Sequence, residues 1–206
     1  MTALLEVYDA TSLHTVATLS GATGPHSFIR ALDADYDRRQ MLEQWFRPMK
    51  PADDLRFEIQ VGAETYWIIM EALPWDSEFF GMGMARVNAV LKRGRVPLPR
   101  EDATSGAQAL TIALAQAADR GIGYVLAPAA PTDLYTLRTL STAGFEMIET
   151  RCHYHRALTS APDERHQVRL ATAEDIPSLA RTARTMVNPY DRFHADPVIS
   201  ETDADR

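Results

Sequence analysis

Residues 190–197 bring together the side chains of this chain that are best suited to acid-base chemistry. Their sequence is Tyr-Asp-Arg-Phe-His-Ala-Asp-Pro, in which a guanidinium (Arg192), an imidazole (His194) and a carboxylate (Asp196) alternate behind Tyr190. Because histidine titrates near neutral pH, such a group on a loop can orient a polar acceptor or relay a proton. A turn tied by Asp–Arg hydrogen bonds and anchored by its phenylalanine fits the same pattern. Both interpretations remain open at this stage.

A second group of reactive types, Cys152, His153 and His155, is less suggestive of chemistry. On a strand the two histidines point to one face and the cysteine to the other, so an exposed strand edge is favoured over a metal site. The chain has a single cysteine, which excludes an intrachain disulfide and makes a reducing compartment the simplest setting. No catalytic Ser-His-Asp arrangement is indicated beyond the presence of the residue types.

Composition narrows the class of protein. The 206 residues are 46% hydrophobic, enough for one sizeable core or for a domain and part of another. A net charge of -7 argues against a nucleic-acid partner, which requires basic residues to neutralise phosphates. No apolar run approaches the roughly 20 residues that span a bilayer, and the N-terminus lacks the regions of a signal peptide. We therefore expect a cytoplasmic protein with no membrane partner.

Apolar periodicity predicts an α/β arrangement with at least partly parallel pairing. Strands are predicted at residues 4–8, 55–61, 65–73, 84–91, 124–128 and 145–158, and helices at 34–46, 104–121 and 133–144. The predicted N-caps are Thr104 or Ser105 for the second helix and Thr132 or Asp133 for the third, which Gly144 should end. Between the third and fourth of these strands lies a corner, residues 73–81, where Gly81 should adopt a left-handed turn and the aromatics should plug the sheet.

Four segments carry a resemblance to a known family. They are Trp-Asp-Ser-Glu-Phe-Phe-Gly at 75–81, Leu-Arg-Thr-Leu-Ser-Thr-Ala-Gly-Phe-Glu at 137–146, Val-Arg-Leu-Ala-Thr-Ala-Glu-Asp-Ile-Pro at 168–177 and the 190–197 segment. Together they resemble the GNAT superfamily of N-acetyltransferases, in particular the two-half amino-sugar enzymes of the dTDP-fucosamine acetyltransferase type. The Ala-Gly-Phe segment is common across that superfamily and says little about substrate.

The resemblance implies a domain organisation. Residues 1–54 form an extension of uncertain structure, 55–160 a GNAT-like half with a mixed sheet flanked by helices, 161–166 a linker, and 167–206 the start of a second, truncated GNAT domain. Its helix should present an apolar face built from Ile176, Leu179, Ala180, Ala183 and Val187. The polar residues 200–206 are expected to be disordered or loosely helical.

The resemblance also implies transfer of an acetyl group from acetyl-CoA to a primary amine, such as that of a nucleotide-linked sugar, with Tyr190, Arg192, His194 and Asp196 binding the acceptor. The family grips the pyrophosphate of acetyl-CoA with a Gln/Arg-x-x-Gly-x-Gly/Ala loop, which we do not find. Gly-x-Gly occurs at 81–83 and 121–123, without the required preceding residue, and both are expected to be turns. We expect this chain alone to be inactive and to bind neither acetyl-CoA nor a metal. The alternative is a non-catalytic binding or dimerisation module, with a homodimer as one possible assembly.

Overall fold

The protein has two compact units, Met1–Glu146 and Met147–Arg206. A computed structural model describes residues 24–47, 49–50, 53–93, 100–156, 169–186 and 190–205. The predicted strand at 4–8, the predicted linker at 161–166 and Val187 lie outside the described residues.

A four-stranded mixed sheet organises the first unit. Strands β1 (Arg56–Val61), β2 (Glu64–Ala72) and β3 (Gly83–Lys92) are successive antiparallel neighbours, and β4 (Ile122–Leu126) pairs in parallel with β3. The helices are α1 (Ala34–Trp45), α2 (Pro74–Phe80), α3 (Thr104–Ala118) and α4 (Leu134–Thr142). The predicted α/β class and the partly parallel pairing are confirmed.

Strand β2 is buried on both faces, which explains its nearly continuous apolar run. Ile68 and Met70 belong to a core that includes four residues of α3, namely Ala109, Leu110, Ala113 and Ala117. Ile69, one residue out of phase, belongs to a second cluster with Leu42 and Phe46 at the end of α1. The small residues of α3 let this helix lie close to the sheet.

Two turn residues behave as the sequence predicts. Asp133 caps α4, because its side chain accepts the N–H of Thr136 at 3.0 Å. Gly144 ends the same helix with φ 89°, in the left-handed region. The predicted caps Thr104 and Ser105 are wrong by a residue or more, since α3 begins at Thr104 and its N-cap is Ala103.

The predicted strand at 145–158 is wrong for its described residues, 145–156, which are not in a strand. Phe145 donates its N–H to the carbonyl of Leu140 at 3.0 Å and so continues the turn that ends α4. Met147 and Tyr154 are 86% and 92% exposed, and β4 has no second neighbour among the described strands. Without a partner strand, an alternating sequence gains neither ladder hydrogen bonds nor burial.

The regular secondary structure described in the second unit consists of helices. A turn of 3-10 helix (Ala173–Asp175) leads into α5 (Ile176–Arg184), followed by the short helices α6 (Arg192–Ala195) and α7 (Glu201–Ala204). Thr172 and Asp175 form a capping box, in which each side chain accepts the backbone N–H of the other residue. Residues 169–172, which precede this turn, are not in a strand. The face of α5 that carries Ile176 and Leu179 is exposed, and α7 confirms the expected helical tendency of 200–206.

A buried guanidinium joins α1 to β1. Arg56 donates through Nε to Asp54 Oδ1 at 2.6 Å and through Nη2 to the other oxygen of the same carboxylate. Its Nη1 donates to the carbonyl oxygens of Arg47 at 3.1 Å and Trp45 at 3.4 Å, at the end of α1. Burial alone would raise the pKa of Asp54, but the hydrogen bonds from Arg56 outweigh it and hold that pKa below its ordinary value. The pair therefore stabilises the fold at neutral pH and loses this contribution as the pH falls through the lowered pKa.

We predict that Arg56→Lys lowers the free energy of unfolding by about 1.5–3 kcal/mol, the range for hydrogen bonds to charged groups. An ammonium keeps the charge but cannot make the paired contact with Asp54 and reach both carbonyls. Urea denaturation followed by circular dichroism measures the loss. Arg93→Lys is the control, because Arg93 is 58% exposed and meets Glu58 at 3.3 Å, so a change below about 0.5 kcal/mol is expected. Equal losses in the two variants would contradict the role given to Arg56.

We also predict that Gly106→Ala destabilises the protein. A Cβ there would lie 2.6 Å from the Tyr135 hydroxyl oxygen and 3.2 Å from Oγ1 of Thr139. Overpacking of this kind costs about 1–3 kcal/mol, and the better helix propensity of alanine offsets up to about 1 kcal/mol. Thermal unfolding should show a lower Tm for this variant and no such drop for Gly123→Ala, whose nearest neighbour is 4.0 Å away. Adding Tyr135→Phe should restore most of the loss, and no recovery would contradict the proposed clash.

Candidate functional site

The corner at residues 73–81 contains a helix that periodicity did not predict, α2. Ser77 ties it to the sheet, donating its hydroxyl to the carbonyl of Leu73 at 2.7 Å and accepting the N–H of Met84 at 2.8 Å. Gly81 ends it at φ 67°, as predicted. The expected aromatic plug is only partly correct, since Phe80 is buried whereas Trp75 is 69% exposed and stacks on Phe79 with ring centroids 5.4 Å apart.

The two Gly-x-Gly segments meet where β3 and β4 begin. Gly83 pairs with Ile122, and a Cβ on Gly83 would lie 2.0 Å from the carbonyl oxygen of Gly121. Gly81 and Gly121 both have positive φ, at 67° and 86°. These glycines are therefore required by tight turns and by the close approach of two backbones. The predicted turns are confirmed at Gly81 and Gly121, whereas the last residues of both segments already belong to β3 and β4.

A carboxylate of the chain occupies the start of α3, where the first N–H groups of a helix could otherwise bind an anion. Asp102 Oδ1 accepts both the N–H of Thr104 at 3.0 Å and its hydroxyl at 2.7 Å. These hydrogen bonds lower the pKa of Asp102, so it carries a full negative charge at neutral pH. Glu101 adds a second carboxylate in the preceding position.

A half-buried charge cluster lies beside this helix start. Lys92 is buried and donates to Glu101 Oε1 at 2.6 Å and to Glu64 Oε1. Tyr66 donates its hydroxyl to Glu64 Oε2 at 2.6 Å. Burial alone would lower the pKa of Lys92, but the two carboxylates outweigh it and raise that pKa, so the amine stays protonated and is no nucleophile. This cluster was not predicted from the sequence. A lysine at the end of an apolar strand indicates a buried cation that needs acidic partners, and Lys92 is such a residue.

The deeper end of the cluster holds two buried hydroxyls. Burial, reinforced by the hydrogen bond to Glu64, raises the pKa of Tyr66. The proximity of Tyr135 adds to this shift, although no hydrogen bond of acceptable geometry joins the two hydroxyls. Among the described residues, Tyr135 Oη and Thr139 Oγ1 are buried without a hydrogen-bond partner. Both side chains pack against Gly106, where a Cβ would not fit. This end of the cluster is therefore a close contact between α3 and α4.

A separate group of polar side chains, Glu71, Arg86 and Asn88, lies where the pairing of β2 with β3 is irregular. Ile69 pairs with Ala89 and Met70 with Val87, so Asn88 is an extra residue in the ladder. Arg86 donates to Glu71 at 2.7 Å and to Asn88 at 2.9 Å. Burial alone would raise the pKa of Glu71, but the hydrogen bonds from Asn88 and Arg86 hold it below its ordinary value. A carboxylate fixed in this way is a poor general base.

The predicted acceptor-binding set at 190–197 is spread over α6 and its ends. Tyr190 is 83% exposed, and the guanidinium of Arg192 lies 4.4 Å from the centroid of the neighbouring Phe193 ring. Asp196 is buried and accepts the N–H of Val198 at 2.9 Å. The turn is tied mainly by a residue outside the set, Asp191, which caps α6 by accepting two backbone N–H groups.

His194 contacts two carboxylates that the sequence analysis did not assign to it. Its Nδ1 lies 2.8 Å from Asp191 Oδ2, and its Nε2 lies 3.1 Å from Asp205 Oδ1. These hydrogen bonds, from Asp205 first and then Asp191, raise the pKa of His194. The motif contains Asp191, so that contact was open to prediction, whereas Asp205 is eleven residues away.

The described residues indicate neither metal binding nor a membrane span. Cys152, His153 and His155 are exposed, in a segment that is not a strand. Within the described ranges, no group of three or more His, Cys, Asp and Glu side chains is placed to hold a metal ion. No helix in the same ranges has the length and apolar character needed to cross a bilayer.

Comparisons with known proteins add little. No family model matches the sequence. No curated protein matches it either. Among solved structures, a point mutant of TTHA1254 from Thermus thermophilus aligns with 75% of this chain and 96% of its own, at 17% sequence identity and a TM-score of 0.42. A similarity this weak carries no argument about function.

We predict that Lys92→Met destabilises the protein because it leaves Glu64 and Glu101 without their cation. Removing one partner of a fully buried pair costs about 3–5 kcal/mol, and the partial exposure of Glu64 should reduce the loss to about 1–3 kcal/mol. The loss should shrink as the pH is lowered and the carboxylates protonate. Urea unfolding at pH 7 and pH 4 measures both effects. Lys50→Met, at the only other lysine, which is exposed, should cause no comparable change.

Proposed function

We propose that this chain serves a GNAT-type N-acetyl transfer, from acetyl-CoA to a primary amine, and that its first unit is a non-catalytic module of that system. Support for the reaction class comes from the four family-like segments, of which one forms α2 and another spans most of α4. Support for a non-catalytic first unit comes from the start of α3. A small-molecule amine, such as an amino sugar, is the partner that this proposal requires.

The observation that carries the proposal is the carboxylate of Asp102 at the start of α3. A helix N-terminus attracts phosphate because its first N–H groups are unpaired and its dipole is positive. Here Asp102 already accepts one of those N–H groups, and Glu101 is adjacent. Two negative charges would repel the pyrophosphate of acetyl-CoA.

Lys92, the buried lysine beside this helix start, does not offset the repulsion of the pyrophosphate. Lys92 is held by Glu64 and Glu101, so this cluster has a net charge of about -1 when all three groups are ionised. A phosphate-binding site needs net positive charge or free backbone N–H groups. The first unit therefore suits a supporting role better than cosubstrate binding.

Acceptor binding remains assigned to the 190–197 segment. In direct acetyl transfer the amine attacks the thioester, so the protein mainly positions the reactants and removes a proton. Tyr190 is accessible, and Arg192, His194 and Asp196 lie on one short helix and its end. Asp191 joins this set as the residue that fixes the helix and the imidazole.

We predict that the chain alone does not bind acetyl-CoA. Isothermal titration calorimetry should show no binding heat beyond dilution, and thermal unfolding should show no rise in Tm. The second readout is sensitive, because a ligand at 100 times its Kd stabilises a protein by about 2.7 kcal/mol. A micromolar Kd would contradict the supporting role.

The control for this experiment is Glu101→Gln combined with Asp102→Asn, which removes the two negative charges while keeping side-chain size. If repulsion is the main obstacle, this variant should bind acetyl-CoA detectably, although weakly. If neither protein binds, the lack of a phosphate-gripping loop is sufficient to explain the result. Binding by the unmodified chain that the double variant abolishes would refute the electrostatic argument.

A further inference from the structure

The imidazole of His194 sits between carboxylates from two different elements. Asp191 precedes α6 and meets Nδ1 at 2.8 Å, and Asp205 follows α7 and meets Nε2 at 3.1 Å. Both ring nitrogens therefore face hydrogen-bond acceptors. A neutral imidazole carries one N–H and can donate to only one of them, whereas an imidazolium donates to both.

From this geometry we propose that His194 is a proton-dependent clasp that joins α7 to α6. With the imidazolium present, the ring links the two helices through charge-assisted hydrogen bonds. After loss of the proton, one nitrogen lone pair faces a carboxylate oxygen, and that contact becomes repulsive. The clasp thus converts a change in pH into a change in how the last described helix is held.

The contact to Asp205 is the one that opens. Asp191 is fixed independently, since its Oδ1 accepts the backbone N–H groups of Phe193 and His194 at 2.9 and 3.1 Å. A neutral His194 can keep its remaining proton on Nδ1 and stay bound to Asp191. Asp205 has a side chain that is 53% exposed and follows a helix of four residues. Among the described residues, no backbone N–H donates to its carboxylate as two do to that of Asp191.

Other charged groups on the two helices do not replace these contacts. The guanidinium of Arg192 lies over Phe193, and Asp203 accepts the hydroxyl hydrogen of Ser200 at 2.6 Å. The remaining carboxylates are Glu201, exposed at the start of α7, and Asp196, buried at the end of α6. The ring nitrogens themselves are occupied by Asp191 and Asp205.

The direction of the pH effect follows from linkage. The pKa of His194 is raised by Asp205 and Asp191, so the folded unit binds the proton more tightly than the unfolded chain. The stabilisation is fully present below the ordinary histidine pKa of about 6.5 and is lost as the pH rises through the higher, folded value. The clasp is therefore closed below the ordinary histidine pKa and opens as the pH rises through the raised pKa of His194.

The test is an NMR titration of the full chain labelled with ¹⁵N, following the His194 ring nitrogens and the backbone amides of α7 from pH 5 to pH 9. We expect His194 to titrate above its ordinary value and the amides of residues 203–205 to shift with the same midpoint. Asp205→Asn should lower that midpoint by about half a unit or more and abolish the linked amide shifts. Glu201→Gln, which alters a carboxylate on α7 that does not contact the ring, should change neither.

A second measurement keeps the proposal testable if a variant misfolds. Raising the salt concentration on the unmodified chain should lower the His194 midpoint, because partly exposed ion pairs are screened. A midpoint at or below about 6.5, or one insensitive to both salt and Asp205→Asn, would overturn the clasp. Amide shifts in α7 that follow a different midpoint would also overturn it, since another group would then be responsible.

Discussion

The first unit depends on the pairing of the buried Arg56 guanidinium with Asp54 and with the end of α1. A charge removed from water must be paired and hydrogen bonded, and Arg56 meets this requirement only if Asp54 and the end of α1 are both in place. Arg120, beyond the end of α3, donates to the carbonyl of Asp54 and lies 5.1 Å from the Phe57 ring centroid. One short segment before β1 thereby connects helices from both faces of the sheet.

Ionic groups elsewhere in the first unit follow a common pattern, in which each is held by other groups of the chain. Lys92 is enclosed by two glutamates, Asp102 occupies the start of α3, and Glu71 is held by Arg86. In these clusters Lys92 and Arg86 are bound by carboxylates and are not available to an anionic ligand. These internal contacts are the observation behind the proposed supporting role of the first unit.

The parts of the fold governed by local periodicity were predictable, and those governed by distant partners were not. Alternation located β1 and β3, and the double-sided burial of β2 accounts for its unbroken apolar run. The same alternation misled at 145–156, because a strand also requires a neighbour to pair with. Helix α2 escaped prediction because seven residues rich in aromatics are too short to show a helical period. Glu64 lies 28 residues from Lys92, so that cluster exists only in the folded chain.

The close backbone approach at Gly83 bears on the order in which the sheet assembles. Strands β1, β2 and β3 are joined by short connections, so the entropy of closing those loops is small. Strand β4 is joined to β3 through a crossover that contains α3, so this pairing closes a longer loop, and the two strands meet where Gly83 faces the carbonyl of Gly121. Nonlocal parallel pairing is the slow step in such topologies. We therefore expect a bulky side chain at Gly83 to hinder the nonlocal pairing of β4 with β3 and so to slow folding as well as to lower stability.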